Sequence, residues 1–208
     1  MKCALSIEIQ EFIVKLSEIE NQPDYTNLYF GNTNESCKRR RNLNSYLNLI
    51  ANNNSKILIL GEAPGYKGCK NTGIAFACEH TLKSYDFLKN LDFETINEIN
   101  FEKENTATIV WSELSRVNKY PLLWNIFPFH PHKKDNEYSN RTPSVAELKM
   151  GLETTKELIK ILEIDYVICV GRKAETKIKK MQIKYDYVRH PSYGGEQEFI
   201  KQINNLLK

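Results

Sequence analysis

Four short strand-like runs, each ended by a turn signal, limit the folds open to this chain more than any other feature of its sequence. The runs cover residues 56–60, 122–127, 165–170 and 185–189. The first run is apolar on both faces, which is typical of a strand in a parallel sheet that is buried between two layers of helices. Helical patterns separate the runs along the chain. This alternation predicts an α/β fold, a three-layer sandwich in which helices flank a central, mostly parallel four-stranded sheet.

Apolar residues at intervals of three and four positions predict the helices. These patterns cover residues 4–19, residues 43–50, a segment that begins at Ser144 and the end of the chain from Glu196. Ser144 and Glu147 have the spacing of a capping box, which marks the N-terminus of a helix. We expect residues 1–208 to form a single domain, in which the helical residues 1–55 pack on the sheet.

The composition is typical of a soluble globular protein. The chain has 208 residues, of which 41% are hydrophobic and 26% charged, and its formal net charge is +3; these values exclude a disordered, collagen-like or coiled-coil chain. The longest uncharged apolar stretch, residues 121–129, is far shorter than the roughly 18 residues that a membrane helix needs. Glu8, Glu11 and Glu18 interrupt the place where an export signal needs a continuous apolar region. We therefore expect a cytoplasmic protein that does not bind membranes, and we also expect a monomer.

The cysteines and histidines do not form the pattern of a metal site or of a disulfide framework. The cysteines are odd in number and scattered, without a CxxC pair: Cys3, Cys37, Cys69, Cys78 and Cys169. The spacing of Cys69, Cys78 and His80 matches no standard structural zinc site. His130 and His132 alternate along an extended segment, so their side chains are expected to point in opposite directions. We expect reduced thiols, no bound metal and no cofactor.

Polar and aromatic residues follow every predicted strand. Because the carboxyl ends of parallel strands meet at one edge of a sheet, the ligand site is expected there. That edge gathers residues 61–65 and 72–76, Asn125, Arg172 and residues 190–195. The phosphate-binding patterns GxxxxGK[ST] and GxGxxG and the hydrolase pattern GxSxG do not occur at these strand ends. The predicted site can instead hydrogen-bond and stack a planar polar ring.

Two motifs at the predicted strand ends resemble those of the uracil-DNA glycosylase superfamily. They are Gly61-Glu62-Ala63-Pro64-Gly65 and His190-Pro191-Ser192. Between them lie Thr72-Gly73-x-x-Phe76, Asn125 and Asn140-Arg141-Thr142-Pro143, which are similar to the superfamily branch that carries an iron-sulphur cluster. The resemblance covers about residues 56–195. The four-cysteine pattern of that branch is absent, which implies a relative without the cluster.

The first motif departs from the superfamily pattern at two places. Ala63 replaces the usual Asp and Glu62 precedes it, so the identity of the group that activates water is open. Gly65 followed by Tyr66 stands where the most uracil-restricted relatives have a Tyr that crowds C5 of the base. The resemblance therefore does not imply that thymine or 5-substituted uracil is rejected.

The resemblance implies a monofunctional glycosylase that hydrolyses the N-glycosidic bond of a flipped-out uracil in DNA during base excision repair. Its catalytic residues are Glu62, which would orient or deprotonate water, and His190, which would stabilise the departing base anion. The implied base-binding residues are Gly61, Ala63, Phe76 and Asn125. DNA is the implied partner, contacted by Pro64, Gly65, Tyr66, Arg172, Ser192 and Tyr193.

A run of four cations, Lys38, Arg39, Arg40 and Arg41, stands where the second helix is predicted to begin. Cations are unfavourable at that position because the N-terminus of a helix is the positive end of its dipole. This local cost favours a role in binding DNA phosphates. A solvated run of charges is the alternative.

Two other functions stay open at the level of sequence. Gly65 and the unassigned water activator allow a glycosylase for another deaminated or modified base. The missing Asp and the basic strand-end loops allow a non-catalytic nucleic-acid-binding module of the same fold.

Overall fold

Helices and strands alternate along most of the chain in the computed structural model, which describes residues 2–89, 91–96 and 103–208. In chain order the elements are α1 (Lys2–Glu18), β1 (Tyr25–Thr26), α2 (Asn34–Asn53), β2 (Ile57–Gly61), α3 (Cys69–Thr72), α4 (Glu79–Ser84), α5 (Asp86–Lys89), α6 (Asn105–Val117), β3 (Leu122–Asn125), β4 (His130–Pro131), α7 (Val145–Ile161), β5 (Tyr166–Val170), α8 (Arg172–Ile178), β6 (Lys184–Val188) and α9 (Glu196–Leu206).

The central sheet has four parallel strands in the order β3-β2-β5-β6. Leu58 of β2 lies opposite Leu122 of β3 and Val167 of β5, and Gly61 at the end of β2 is aligned with Asn125 at the end of β3. All of β3, and β2 and β5 from their second residue, are buried, whereas the edge strand β6 is exposed or half-buried until its last residue. The predicted α/β fold with a central parallel sheet is confirmed.

Strand β3 ends at Asn125, two residues before the end of the predicted strand at residues 122–127. The amides of Ile126 and Phe127 donate to the carbonyl oxygens of Gly61 (2.9 Å) and Glu62 (3.0 Å), respectively. These bonds join consecutive residues to consecutive carbonyls, which breaks the alternation of a regular parallel ladder. The strand therefore stops at Asn125, and its continuation fixes the backbone of the loop that follows β2.

A second, antiparallel sheet pairs Tyr25 and Thr26 of β1 with Pro131 and His130 of β4. It lies outside the four predicted strands. Two residues per strand are too few to produce a recognisable hydrophobic period, so the local sequence carries no sign of this pairing. The pairing brings the segment after β3 back against the segment between α1 and α2.

The two N-terminal helices cover β3, an edge strand of the central sheet. The ring of Phe12 in α1 packs on Trp124, with the centroids 5.8 Å apart. The amide of Leu123 donates to the hydroxyl of Tyr46 in α2 at 2.8 Å. This contact satisfies a backbone donor that an edge strand otherwise leaves unpaired.

Among the described residues, no helix is long and apolar enough to cross a membrane.

Helix α7 begins with the predicted capping box. The hydroxyl of Ser144 accepts the amide of Glu147 at 3.2 Å, and the Glu147 carboxylate accepts the amide of Ser144 at 2.6 Å. Arg141 adds a bidentate pair, in which its two terminal nitrogens lie 2.6 and 2.8 Å from the Glu147 oxygens. Such pairs fix geometry as well as charge, so the loop before α7 is tied to the helix.

Gly151 allows α7 to lie directly on the chain that follows β3. A Cβ at this position would overlap the carbonyl oxygen of Ile126 and would lie 2.8 Å from Cα of Phe127. Both neighbours are backbone atoms, which cannot move without displacing the end of β3. The close approach of helix and strand end therefore requires glycine.

Gly151→Ala is expected to destabilise the protein by about 1 to 3 kcal/mol, the usual cost of forcing extra volume into a packed site. The direction is informative, because alanine stabilises an ordinary helix interior relative to glycine by about 0.5–1 kcal/mol. Chemical denaturation measures the free energy of unfolding, with Lys149→Ala on the exposed face of α7 as the control. A Gly151→Ala protein as stable as the wild type would contradict the packing described here.

Candidate active site

A cleft of about 660 Å³ opens at the carboxyl edge of the central sheet. Its walls come from the segments that follow β2, β3, β5 and β6. Glu62, Phe76, Asn125 and His190 all line it, so the structure brings together the four side chains on which the predicted chemistry depends. Ala63, Pro64, Gly65, Tyr66, Arg172 and Tyr193 line the same cleft.

The end of β2 forms the floor of the cleft beside two other groups. A Cβ on Gly61 would lie 2.5 Å from Oδ1 of Asn125 and 2.5 Å from Cζ of Phe76. Only glycine therefore lets the amide and the ring approach this strand end together. Asn125 is only 6% exposed, and no described residue forms a hydrogen bond with its side-chain amide. A buried amide without a protein partner is a strong candidate for ligand binding.

Phe76 is held in a strained backbone conformation at the side of this floor. Its φ is 54°, in the left-handed region that non-glycine residues rarely adopt. Its carbonyl accepts the indole N–H of Trp111 at 3.0 Å. Thr72 braces the turn before it, because its hydroxyl donates to the carbonyl of Ala77 at 2.9 Å and accepts the amide of Ile74 at 3.1 Å. Strain retained in this way is characteristic of functional sites.

His190 is half-buried after β6, and its hydrogen bond selects one tautomer. The amide of Ser192 donates to Nδ1 at 3.1 Å, so the proton of the neutral ring must lie on Nε2. Burial lowers the pKa of His190 below its ordinary value of 6.5; the Arg189 charge also lowers it, while Glu104 acts in the opposite direction. At neutral pH the ring is therefore an uncharged donor, and no described residue accepts from its Nε2.

Glu62 directly follows Gly61, the residue at the floor of the cleft. Its carbonyl is fixed by the amide of Phe127 at 3.0 Å, and its carboxylate lies 3.2 Å from Nζ of Lys173. Lys173 also donates to the hydroxyl of Thr142 at 2.6 Å. The carboxylate is thus paired with a cation, partly exposed and on the lining of the cleft.

Two side chains from the segment before α7 hold the loop that follows β2. A ring nitrogen of His130 lies 3.0 Å from the carbonyl oxygen of Pro64, and Oδ1 of Asn140 accepts the amide of Tyr66 at 2.9 Å. From the sequence alone, His130 is a candidate only for metal binding, with His132. No local pattern indicates its structural role, since the contact joins residues 66 positions apart.

The histidine pair and the cysteines do not form a metal centre. The rings of His130 and His132 lie 5.5 Å apart, and the nitrogens of His132 are bonded to Thr26 and to the carbonyl of Lys133, each at 3.0 Å. The five cysteines are free thiols. Within residues 2–89, 91–96 and 103–208, no group of three or more His, Cys, Asp or Glu side chains could hold a metal ion. These residues do not fit an iron-sulphur cluster.

The loop after His190 carries an aromatic side chain at its tip. Tyr193 is 99% exposed and has a φ of 55°, and Gly194 after it has a φ of 74°. Ser192 lies below the tip, with its hydroxyl 3.3 Å from that of Thr106. On the same side of the cleft, the Arg172 guanidinium lies 3.9 Å above the ring of Tyr187.

The cationic run lies apart from the cleft. Helix α2 begins at Asn34, after the N-cap Thr33, so these four residues do not stand at its start as expected. Their side chains make contacts within the protein: Lys38 with the carbonyl of Thr95, Arg39 with that of Leu28, Arg40 with those of Tyr29 and Gly31, and Arg41 with the carboxylate of Glu94. None of them lines the cleft, and their contact with DNA stays a prediction.

Glu104 and Arg189 are among the residues that line the cleft but are not predicted from the sequence. Glu104 caps α6 by accepting the amides of Thr106 (2.9 Å) and Ala107 (2.6 Å), and its charge acts on His190. Its position follows no recognisable motif. Arg189 also lines the cleft, and its place directly before His190 could have identified it.

His190 is expected to show an Nε2–H tautomer with a pKa below 6.5 in the folded protein. Because the unfolded chain would then bind this proton at higher pH, protonation of His190 destabilises the fold as the pH falls through 6.5 and below. Long-range ¹H–¹⁵N spectra of the imidazoles over a pH titration measure both properties. A protonated Nδ1 at neutral pH, or a pKa above 6.5, would contradict the assignment.

The comparisons with known proteins agree with this geometry. Residues 48–208 match the sequence family described as the uracil DNA glycosylase superfamily. The fold is similar to the crystal structure of wild-type SMUG2 from Pedobacter heparinus, with a TM-score of 0.73 and 18% sequence identity over 97% of this chain and 96% of that one. A search of curated protein sequences finds no match. The family match covers most of the chain, so this protein belongs to the uracil DNA glycosylase superfamily.

Proposed function

We propose that the protein is a DNA glycosylase that removes uracil by hydrolysing the N-glycosidic bond of a flipped-out nucleotide. The observation that carries the proposal is the floor of the cleft, where the unpartnered Asn125 amide and the Phe76 ring meet at Gly61. The neutral His190 on the wall of the same cleft adds a donor for the leaving base. Family membership supports the same reaction class.

The Asn125 amide can distinguish uracil from cytosine. It can donate to O4 and accept from N3–H of uracil, whereas cytosine presents the reversed pattern and would leave buried polar groups unpaired. Phe76 supplies a flat apolar face, and stacking of a base on an aromatic ring contributes about 1–3 kcal/mol. Together the two side chains bind one extruded base, Asn125 at its hydrogen-bonding edge and Phe76 at its face.

Bond cleavage places negative charge on the base and positive charge on the sugar. In the proposed reaction, the Nε2–H of the half-buried His190 donates to O2 of the base and stabilises the anion. Glu62 orients or deprotonates water, and its negative charge favours the developing oxocarbenium ion. The reaction needs only water as its co-substrate and leaves an abasic site in the DNA.

The rim of the cleft supports DNA as the partner. Tyr193 is fully exposed beside the cleft and is placed to fill the gap that an extruded nucleotide leaves in the helix. Arg172 and Arg189 are exposed cations that line the same cleft, which suits contact with backbone phosphates. With a net charge of only +3, affinity for DNA depends on this local patch.

A second candidate is a glycosylase for another deaminated or modified base. A Cβ at Gly65 would overlap no neighbour: the nearest atom, Oδ1 of Asn140, would lie 3.7 Å away, at ordinary van der Waals distance. The loop therefore leaves space where a larger side chain would crowd a 5-substituent of the base. This observation favours tolerance of substituted pyrimidines, with the same cleavage chemistry.

Incubation with a uracil-containing oligonucleotide, followed by alkali, is expected to cut the strand at the uracil. His190→Ala and Asn125→Ala should each lower the single-turnover rate by about 10²–10³-fold, the usual loss when one positioned donor is removed from a transition state. Both variants should remain folded. His80→Ala, which changes an imidazole on α4, is the matched control and should cleave at the wild-type rate.

A wider panel separates the remaining functions. Oligonucleotides with thymine, hypoxanthine, xanthine and 5-substituted pyrimidines opposite several partner bases test the second candidate. Salt-sensitive DNA binding without release of any base would reject both glycosylase proposals and favour a non-catalytic module. Full activity of the His190→Ala protein would reject the proposed role of that residue.

A further inference from the structure

One ion pair in the cleft joins three of its walls. Nζ of Lys173, in the first turn of α8, lies 3.2 Å from Oε1 of Glu62, which follows β2. The same ammonium donates to Oγ1 of Thr142 at 2.6 Å, in the segment before α7. Within the described part of the chain, the Glu62 carboxylate has no other hydrogen-bond partner. Its position is therefore set by Lys173.

Folding stability does not account for this pair. The side chains of Lys173 and Glu62 are 44% and 34% exposed, and exposed ion pairs contribute little to stability because water and salt screen them. A carboxylate that faces incoming DNA is also unfavourable for binding, since it repels the phosphates. A contact with these properties inside the cleft points to a role in the reaction.

The backbone at Glu62 is already rigid, so its side chain is the remaining source of freedom. The amides of Ile126 and Phe127 bind the carbonyls of Gly61 and Glu62. A free Glu side chain still samples several rotamers. The contact with Lys173, itself held by Thr142, selects one of these rotamers.

We propose that Lys173 is a positioning residue that holds the Glu62 carboxylate toward the glycosidic bond of the extruded nucleotide. The inference rests on the proposed function, in which Glu62 orients water and stabilises the positive sugar. Lys173 does not touch the reacting atoms in this account. Its charge also offsets that of Glu62, which lets DNA phosphates approach the cleft.

Kinetics separate positioning from simple phosphate binding. Lys173→Met is expected to slow single-turnover base release by about ten- to a hundredfold, as misplacement of a catalytic group does, with a much smaller change in the Kd for DNA. Lys173→Arg should restore part of the rate. In a Glu62→Gln background, Lys173→Met should have no further effect, because the group that it positions is gone. Lys180→Met, which removes an exposed cation just after α8, is the control.

Binding of abasic-site analogues tests the same inference without turnover. Wild-type protein should bind DNA with a cationic 1-azaribose at the target position at least about tenfold more tightly than DNA with neutral tetrahydrofuran, because transition-state analogues bind more tightly than ground states. Glu62→Gln and Lys173→Met should both lose this preference.

The outcomes distinguish this inference from the proposed function. Additive effects of Lys173→Met and Glu62→Gln, or an effect of Lys173→Met on Kd alone, would make Lys173 a phosphate contact and overturn the inference. If the wild type releases no base from any oligonucleotide, the proposed function fails, and the analogue preference still decides the role of Lys173. The inference about Lys173 is overturned if the wild type does not prefer the cationic analogue, or if Lys173→Met keeps that preference.

Discussion

The alignment of Gly61 with Asn125 across two parallel strands is the contact on which the site depends. Because the β2–β3 register ends both strands at one level, the Asn125 amide lies over a residue without a side chain. Phe76 occupies the adjacent space through a strained turn. The carbonyls of Gly61 and Glu62 then bind the chain beyond β3. The β2–β3 register therefore also sets the positions of Asn125 and Phe76 at the floor of the cleft.

The charges around this floor follow from burial and from local hydrogen bonds. Burial keeps His190 uncharged, and the Ser192 amide fixes which nitrogen carries its proton. Glu62 is partly exposed and paired with Lys173. The site thus combines a neutral donor with a separate anion. This arrangement suits a reaction in which a base leaves as an anion and a sugar becomes positive.

The sheet and the site were predictable to the extent that local sequence encodes them. Buried parallel strands are continuous apolar runs, and their carboxyl ends share one edge, so the meeting of Glu62, Asn125 and His190 follows from pattern and topology. Contacts between distant segments leave no such pattern. The β1–β4 pair, the bond from His130 to Pro64 and the place of Glu104 beside His190 are of this kind. The early end of β3 depends on two backbone hydrogen bonds to the loop after β2, which the pattern of apolar residues cannot predict.

The most direct test of the account is mass spectrometry of the free bases that the protein releases from deaminated DNA, with Gly61→Ala beside the wild type. The account predicts free uracil from the wild type and at least about a hundredfold less from Gly61→Ala, because a methyl group there displaces the Asn125 amide and the Phe76 ring. Both proteins should be folded by circular dichroism. No released base from the wild type, or equal release from a folded Gly61→Ala protein, would contradict a base-binding floor at this strand end.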